Sequence, residues 1–283
     1  TAQIKEVSNH FGWPLINHLT GGAAWKADIA IRKRNAEVVV ESDLVGVSSP
    51  LPEPLNKTAS TPLALRVEQT MPEAQREQYR ILLSKIGQGV IIKRQGNWER
   101  GVFAVGDAEP HLPDKGLAIR VATPRIDADA WKNYLPDSTN GGGDAGGLAL
   151  NVVTLKTPLL RIFERDFSHV ETSLRPRDGG WQIGLNTREA VGDVFWKSAG
   201  EGWVEGNFKR LVVRPAAEIG EGSTTLINAL PGMSLSVDDL RIGDKALGKL
   251  ELKARNDRGA WNLDALNLQN PDGALKEIGR AHV

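Results

Sequence analysis

Few residues in this chain have the types and spacing for chemistry. The five histidines, His10, His18, His111, His169 and His282, lack the spacing that gathers metal ligands, so no metal site is expected. His169, Glu171 and Ser173 alternate, which puts them on one face of a strand. A Ser–His–acid set is recognised by its geometry in space, and a solvated polar face accounts for the same three residues. Carboxylates are plentiful, but none is marked as half of a glycosidase pair. Gly141-Gly142-Gly143 is not followed by the Lys-Ser/Thr of a phosphate loop. Without cysteine there is neither thiol chemistry nor a disulfide framework. The expectation is a protein that is not an enzyme, with no catalytic residues and no cofactor.

What stands out is how the tryptophans are placed. Gly248–Pro271 reads as a β-hairpin. Leu250, Leu252 and Ala254 alternate with Lys249, Glu251, Lys253 and Arg255, then Asn256-Asp257-Arg258-Gly259 turns the chain and Trp261 opens the return strand. The apolar parity flips at Leu266 and Leu268, the mark of a β-bulge. Arg94–Trp98 and Arg177–Trp181 repeat the plan of a glycine-containing turn followed by tryptophan. Gly21–Trp25 is a looser copy.

The rest of the chain follows the same period of two. Strands are expected at Trp25–Arg32, Glu37–Glu41, Leu63–Val67, Tyr79–Leu83, Gly89–Arg94, Trp98–Gly106, Leu117–Val121, Leu148–Val152 and on to Trp261. Ser48–Pro62 carries four prolines and reads as an extended loop. Ile126–Leu135 is the best helix candidate, capped by Asp127, and Ile219–Leu230 is a second. Asp137–Gly147 is a glycine-rich segment. The domain reading is 1–137, a linker at 138–147, a second lobe at 148–279 and a foreign tail at 280–283. The fold class is all-β: an elongated, curved, mostly antiparallel sheet forming a groove, with one or two short helices.

Net charge is zero, so no basic field exists to attract nucleic acid. No apolar run approaches the ~20 residues that span a bilayer. No signal peptide opens the chain, and the chain reads as part of something longer.

Several phrases, in order, carry a resemblance. They are VVVESDLVGVSSPLPEPLNKTASTPLAL within Trp25–Val67, Arg100–Gly106 followed by Pro110-His111-Leu112-Pro113, and Ile126–Trp131. Further on come Arg188–Gly192 with Trp196, and LPGMSLSVDDLRIGDKALGKLELKA with Trp261. Together they resemble the YhdP family of AsmA-like periplasmic proteins of Gram-negative bacteria, from about Trp13 to Gly279. Arg280 departs from the family pattern, which has tryptophan after the glycine. The resemblance implies a periplasmic protein anchored in the inner membrane by an N-terminal helix outside this chain. It implies a long β-sheet curled into a gutter with an apolar inner face. It also implies a role in moving phospholipid to the outer membrane, in the manner of the eukaryotic bridge-like lipid transporters.

Physics agrees with such a role. A lipid tail costs ~0.8 kcal/mol per CH₂ exposed to water, and a continuous apolar path removes that cost without an ATP site. The residues expected to present the path are Trp25, Ile29, Ile31, Val38, Val40, Leu63, Leu65, Leu117, Ile119, Leu148, Leu150, Val152, Ile183, Leu185, Leu250 and Leu252. The expected partners are phospholipid acyl chains and an outer-membrane or periplasmic protein. Period-two patterning also fits a closed sandwich core. Two other functions therefore stay open: a scaffold for outer-membrane assembly, and a carbohydrate-acting β-protein using the tryptophans as platforms.

Overall fold

The computed structural model describes residues 2–3, 14–32, 35–131, 133–134, 144–145, 147–162, 165–197, 202–213, 230–257, 260–271 and 273–282. The chain is all-β. In order, the strands are β1 (Ala2–Gln3), β2 (Thr20–Ala23), β3 (Lys26–Arg32), β4 (Asn35–Ser42), β5 (Val47–Ser48), β6 (Leu65–Glu73) and β7 (Arg76–Leu83). Then come β8 (Gly87–Arg94), β9 (Asn97–Gly106), β10 (Gly116–Ala122), β11 (Arg125–Asp127), β12 (Asp144–Ala145), β13 (Leu148–Ile162) and β14 (Arg165–Arg177). The last are β15 (Gly180–Asn186), β16 (Ala190–Lys197), β17 (Trp203–Val213), β18 (Gly232–Ile242), β19 (Lys245–Asp257), β20 (Ala260–Asn270) and β21 (Gly273–His282). A 3-10 turn spans Pro14–His18, and α1 is the single turn Ala128–Trp131.

The chain divides into two compact units, Thr1–Asp137 with Gly142–Asp166, and Ser138–Gly141 with Phe167–Val283. The first unit contains β13, which the sequence reading gave to the later lobe. Its partners decide this: β13 lies parallel to both β10 and β11.

In the first unit the ladder runs β3-β4-β6-β7-β8-β9-β10-β13. The steps are antiparallel as far as β9. From there β9–β10 and β10–β13 are parallel. A parallel pair needs a return connection, and residues 107–115 provide one. Leu112 on that connection packs on buried Val102, Ala118 and Val152. The hairpin turns behave as their sequences demand. Gln95-Gly96 and Asp178-Gly179 both take positive φ at two successive positions, the primed geometry that matches strand twist. Gly21–Trp25 is not such a hairpin, because β2 pairs with β1 and β5 and leaves β3 to pair with β4.

The proline-rich segment after β4 is held by a buried lysine. Lys57 Nζ donates to the carbonyls of Leu44 (2.8 Å), Val47 (2.7 Å) and Thr58 (3.0 Å), and Ser49 and Lys57 exchange backbone bonds. Burial pushes its ammonium below the ordinary lysine value. Lys57→Met keeps the stem and removes every donor, orphaning three carbonyls at about 1–3 kcal/mol for a buried group. The expected result is faster amide exchange at Gly46, Ser49 and Lys57, with exchange in β7–β9 unchanged.

Among the described residues the helix expected at Ile126–Leu135 is the single turn Ala128–Trp131. Asp127 caps it as foreseen, its Oδ1 accepting from Ala130 N at 2.9 Å. It starts at Ala128 because Arg125–Asp127 is taken into a ladder with Leu159–Arg161. Glu73–Ser84, ambiguous in sequence, is the end of β6 and β7. The second helix candidate and most of the glycine-rich segment lie outside the described residues.

In the second unit the ladder runs in chain order from β14 to β21. All steps are antiparallel except β17–β18. Its elements make their main contacts only with ladder neighbours.

Candidate functional site

Residues that face each other across a ladder point to the same side of the sheet, so register alone assembles the two apolar faces. In the first unit Ile29 lies opposite Val38, Ala27 opposite Val40 and Val40 opposite Val67. Val67 faces Ile81, Tyr79 faces Ile91, and Ile119 lies between Phe103 and Val153. Leu65, Leu117 and Leu150 join the same face through Leu83 and Gly101. The reverse face begins with Asp28 and continues through Glu41, Arg66, Glu68 and Arg80. There Arg66 pairs with both Glu41 and Glu68.

Burial changes along this one face. Trp25 (51% exposed), Ile29 (70%) and Ile31 (79%) stand in the open at the β3 end. Val38, Val40 and Leu65 are half-buried, whereas Ile91 (2%), Leu117 (3%) and Leu148 (5%) are closed off. What covers them is Tyr79, Ile81, Trp98, Phe103, Ile119 and Leu150, all from strands of the same sheet. Gly89 is part of that fit, because a Cβ there would stand 2.7 Å from the Phe103 ring. Gly89→Val forces Phe103 aside, and overpacking of this kind costs about 1–3 kcal/mol. A thermal melt should show it as a lower midpoint.

Two of the expected residues are misplaced. Val152 belongs to the reverse face, packed with Val102 and Ala118. A register shift carries the pairing from Leu117↔Leu150 to Ala118↔Val152, so Asn151 is the extra residue and parity inverts behind it. Leu63 lies two residues before β6 in irregular chain, bonded through its N–H to Asp43 O. Trp25 precedes β3 and lines a shallow cleft with Lys26, Glu41, Leu65 and Arg66.

In the second unit Ile183 lies between Leu174 and Val194, Leu185 between Thr172 and Gly192, and Trp181 between Pro176 and Trp196. Val194 faces Gly206, which faces Leu235, and Leu235 faces Leu252. Val237 faces Leu250, and Leu250 and Leu252 then face Leu268 and Leu266. The bulge foreseen at Leu266 is present. Lys253 pairs with Ala265 and Ala254 with Leu263, leaving Asp264 as the extra residue. Trp261, Leu263, Leu266 and Leu268 consequently share one face despite their sequence parity. Asp264 itself holds Arg255 in a two-pronged ion pair at 2.7 and 2.8 Å. Ile183, Leu185, Leu250 and Leu252 are half-buried, whereas Lys249, Glu251 and Lys253 on the reverse face are exposed.

Sequence reasoning omitted Val67, Ile81, Ile91, Phe103, Leu235 and Leu268 from these faces. Their strands alternate legibly, but which parity faces inward is set by cross-strand register. Among the polar residues, His169 takes a left-handed φ of 53° rather than extended strand geometry.

The first unit's face has a polar margin where β6 and β8 end and β7 and β9 begin. Tyr79 Oη donates to Glu77 Oε2 at 2.6 Å, and Gln69 Nε2 donates to both at 3.1 and 3.0 Å. Burial and the neighbouring carboxylate push the Tyr79 phenol well above its ordinary value, so it stays a neutral donor. Lys93 Nζ sits 5.3 Å over the Trp98 ring, and Tyr79 and Trp98 lie 5.6 Å apart at a tilt.

Among the described residues no cluster of His, Asp or Glu could hold a metal, and no helix is long and apolar enough to cross a membrane. The arrangement offers apolar surface. Searches of curated proteins and of solved structures return no match. The family described as YhdP protein matches residues 1–282, and the chain belongs to that family.

Proposed function

We propose that this chain conducts phospholipid by laying acyl chains along its apolar sheet faces, as part of a periplasmic protein anchored in the inner membrane and serving the outer membrane. The observation that supports the reading most directly is one-sidedness. In each unit, register gathers a row of Val, Ile, Leu and Trp residues on one face, while the charges of β3 and β4, and Lys249, Glu251 and Lys253 of β19, stand opposite. Only sixteen hydrophobic side chains are buried among the described residues, five of them alanines. Leaving Ile29 and Ile31 mostly in water forgoes much of the roughly 1.5–3 kcal/mol that burying such a side chain gives. An acyl chain over them recovers it for protein and lipid together.

Contacts of this kind are non-directional and individually weak, which suits passage rather than storage. No catalytic residue, metal or cofactor enters the reading. Solvent extraction of the purified chain followed by mass spectrometry is the test. Phospholipid in near-stoichiometric amount supports it. A lipid-free protein that also fails to take up lipid from phosphatidylethanolamine/phosphatidylglycerol vesicles contradicts it.

A further inference from the structure

From the margin inward, the first unit's face changes character in the order of an amphiphile. On β7 the residues are Glu77, Tyr79, Ile81 and Leu83. On β8, read backwards from its end, they are Lys93, Ile91, Gly89 and Gly87. Charge comes first, then an aromatic side chain with a hydroxyl, then aliphatic surface. Glu77 and Lys93 are direct cross-strand partners. Opposite charges so placed usually pair, yet no ion pair joins them among the described residues. Glu77 Oε2 is taken by Tyr79 and Gln69, and Lys93 lies over Trp98 instead. A cation and a carboxylate oxygen are thus left unpaired side by side at the rim of an apolar face.

We propose that this margin is a headgroup site for a zwitterionic aminophospholipid. Lys93 takes the phosphate and Glu77 the primary ammonium, while the acyl chains run inward over the half-buried Ile81 and Leu83. The proposal rests on the lipid-conducting reading above and adds to it a substrate class and an orientation. An anionic lipid satisfies Lys93 but meets the Glu77 carboxylate without a counter-charge. A fatty acid has nothing for Glu77. Trp98 suits the level between, since its ring accepts Lys93 and its N–H serves the wet side of a lipid interface.

The test is competition on the whole chain. The protein is loaded from mixed vesicles holding equal phosphatidylethanolamine and phosphatidylglycerol of identical acyl composition, and the bound classes are counted by mass spectrometry. Phosphatidylethanolamine should be enriched by about tenfold, the worth of one charge-assisted bond. Glu77→Gln should abolish the enrichment. Lys93→Gln should lower phospholipid of both classes, and Lys93→Arg should restore it. Glycerophosphoethanolamine, the headgroup without chains, should not compete at matched concentration. Lipid bound without class preference in the unmodified chain overturns the headgroup site and leaves the conducting reading standing. Competition by the free headgroup overturns it as a lipid site. No lipid of either class overturns both readings. The unmodified chain alone decides these outcomes, so a variant that fails to fold does not spare the proposal.

Discussion

Ile31→Asp is expected to leave the chain folded and to cut acyl-chain contact several-fold, whereas Leu117→Asp should unfold the first unit. The two positions share one face of one sheet and differ in what surrounds them. Ile31 is 79% exposed, and an exposed substitution changes stability by about 0.5 kcal/mol or less. What it does is place a carboxylate where an acyl chain would lie. Leu117 is 3% exposed and is enclosed with Ile91 and Leu148. Removing its side chain costs about 2–5 kcal/mol in lost contacts and cavity. Burying an unpaired charge adds several more, a sum comparable to the ~5–15 kcal/mol that holds a domain together. Circular dichroism melts and lipid uptake, measured on both variants, check the pair. Equal unfolding by both would mean that the β3 end is as much core as the β10 strand.

Deleting Asp264 should be far more damaging than replacing it. Asp264→Ala removes the exposed ion pair with Arg255, and such pairs add little. The deletion closes the bulge, and a one-residue slip sends every side chain beyond it to the other face. Either Trp261 and Leu263 or Leu266 and Leu268 must then turn toward the charged side of β19. Exposing two large apolar side chains that were half-buried costs about 2–4 kcal/mol by area burial. The expected result is a clear drop in the melting midpoint for the deletion and almost none for the alanine variant. Equal midpoints for the two would show that the bulge does not set the face.

Much of this was legible in the sequence because strands encode their faces in their own alternation. The bulge at Leu266 could be read from the chain itself, since the apolar parity breaks there. The bulge at Asn151 could not. Leu148, Leu150 and Val152 alternate without interruption, and only the pairing with β10 inverts the last of them. Leu63 looked like the first member of a strand, but its N–H bonds to Asp43 O before the ladder begins. The helix at Asp127 shows the same limit, with a correct cap and a start set by a ladder to a strand over thirty residues away. The closure of Ile91 and Leu117 against the openness of Ile29 and Ile31 likewise depends on which neighbours the ladder supplies.

The measurement that bears most directly on the central claim uses two adjacent residues. Asp28 and Ile29 are both exposed on β3 and point to opposite faces. A photo-crosslinking amino acid is placed at each in turn, the protein is loaded from phospholipid vesicles, and adducts are identified by mass spectrometry. Phospholipid adducts from position 29, with few or none from position 28, are the result the account predicts. Equal labelling from both faces, or none from position 29 in a folded and vesicle-exposed protein, would contradict it.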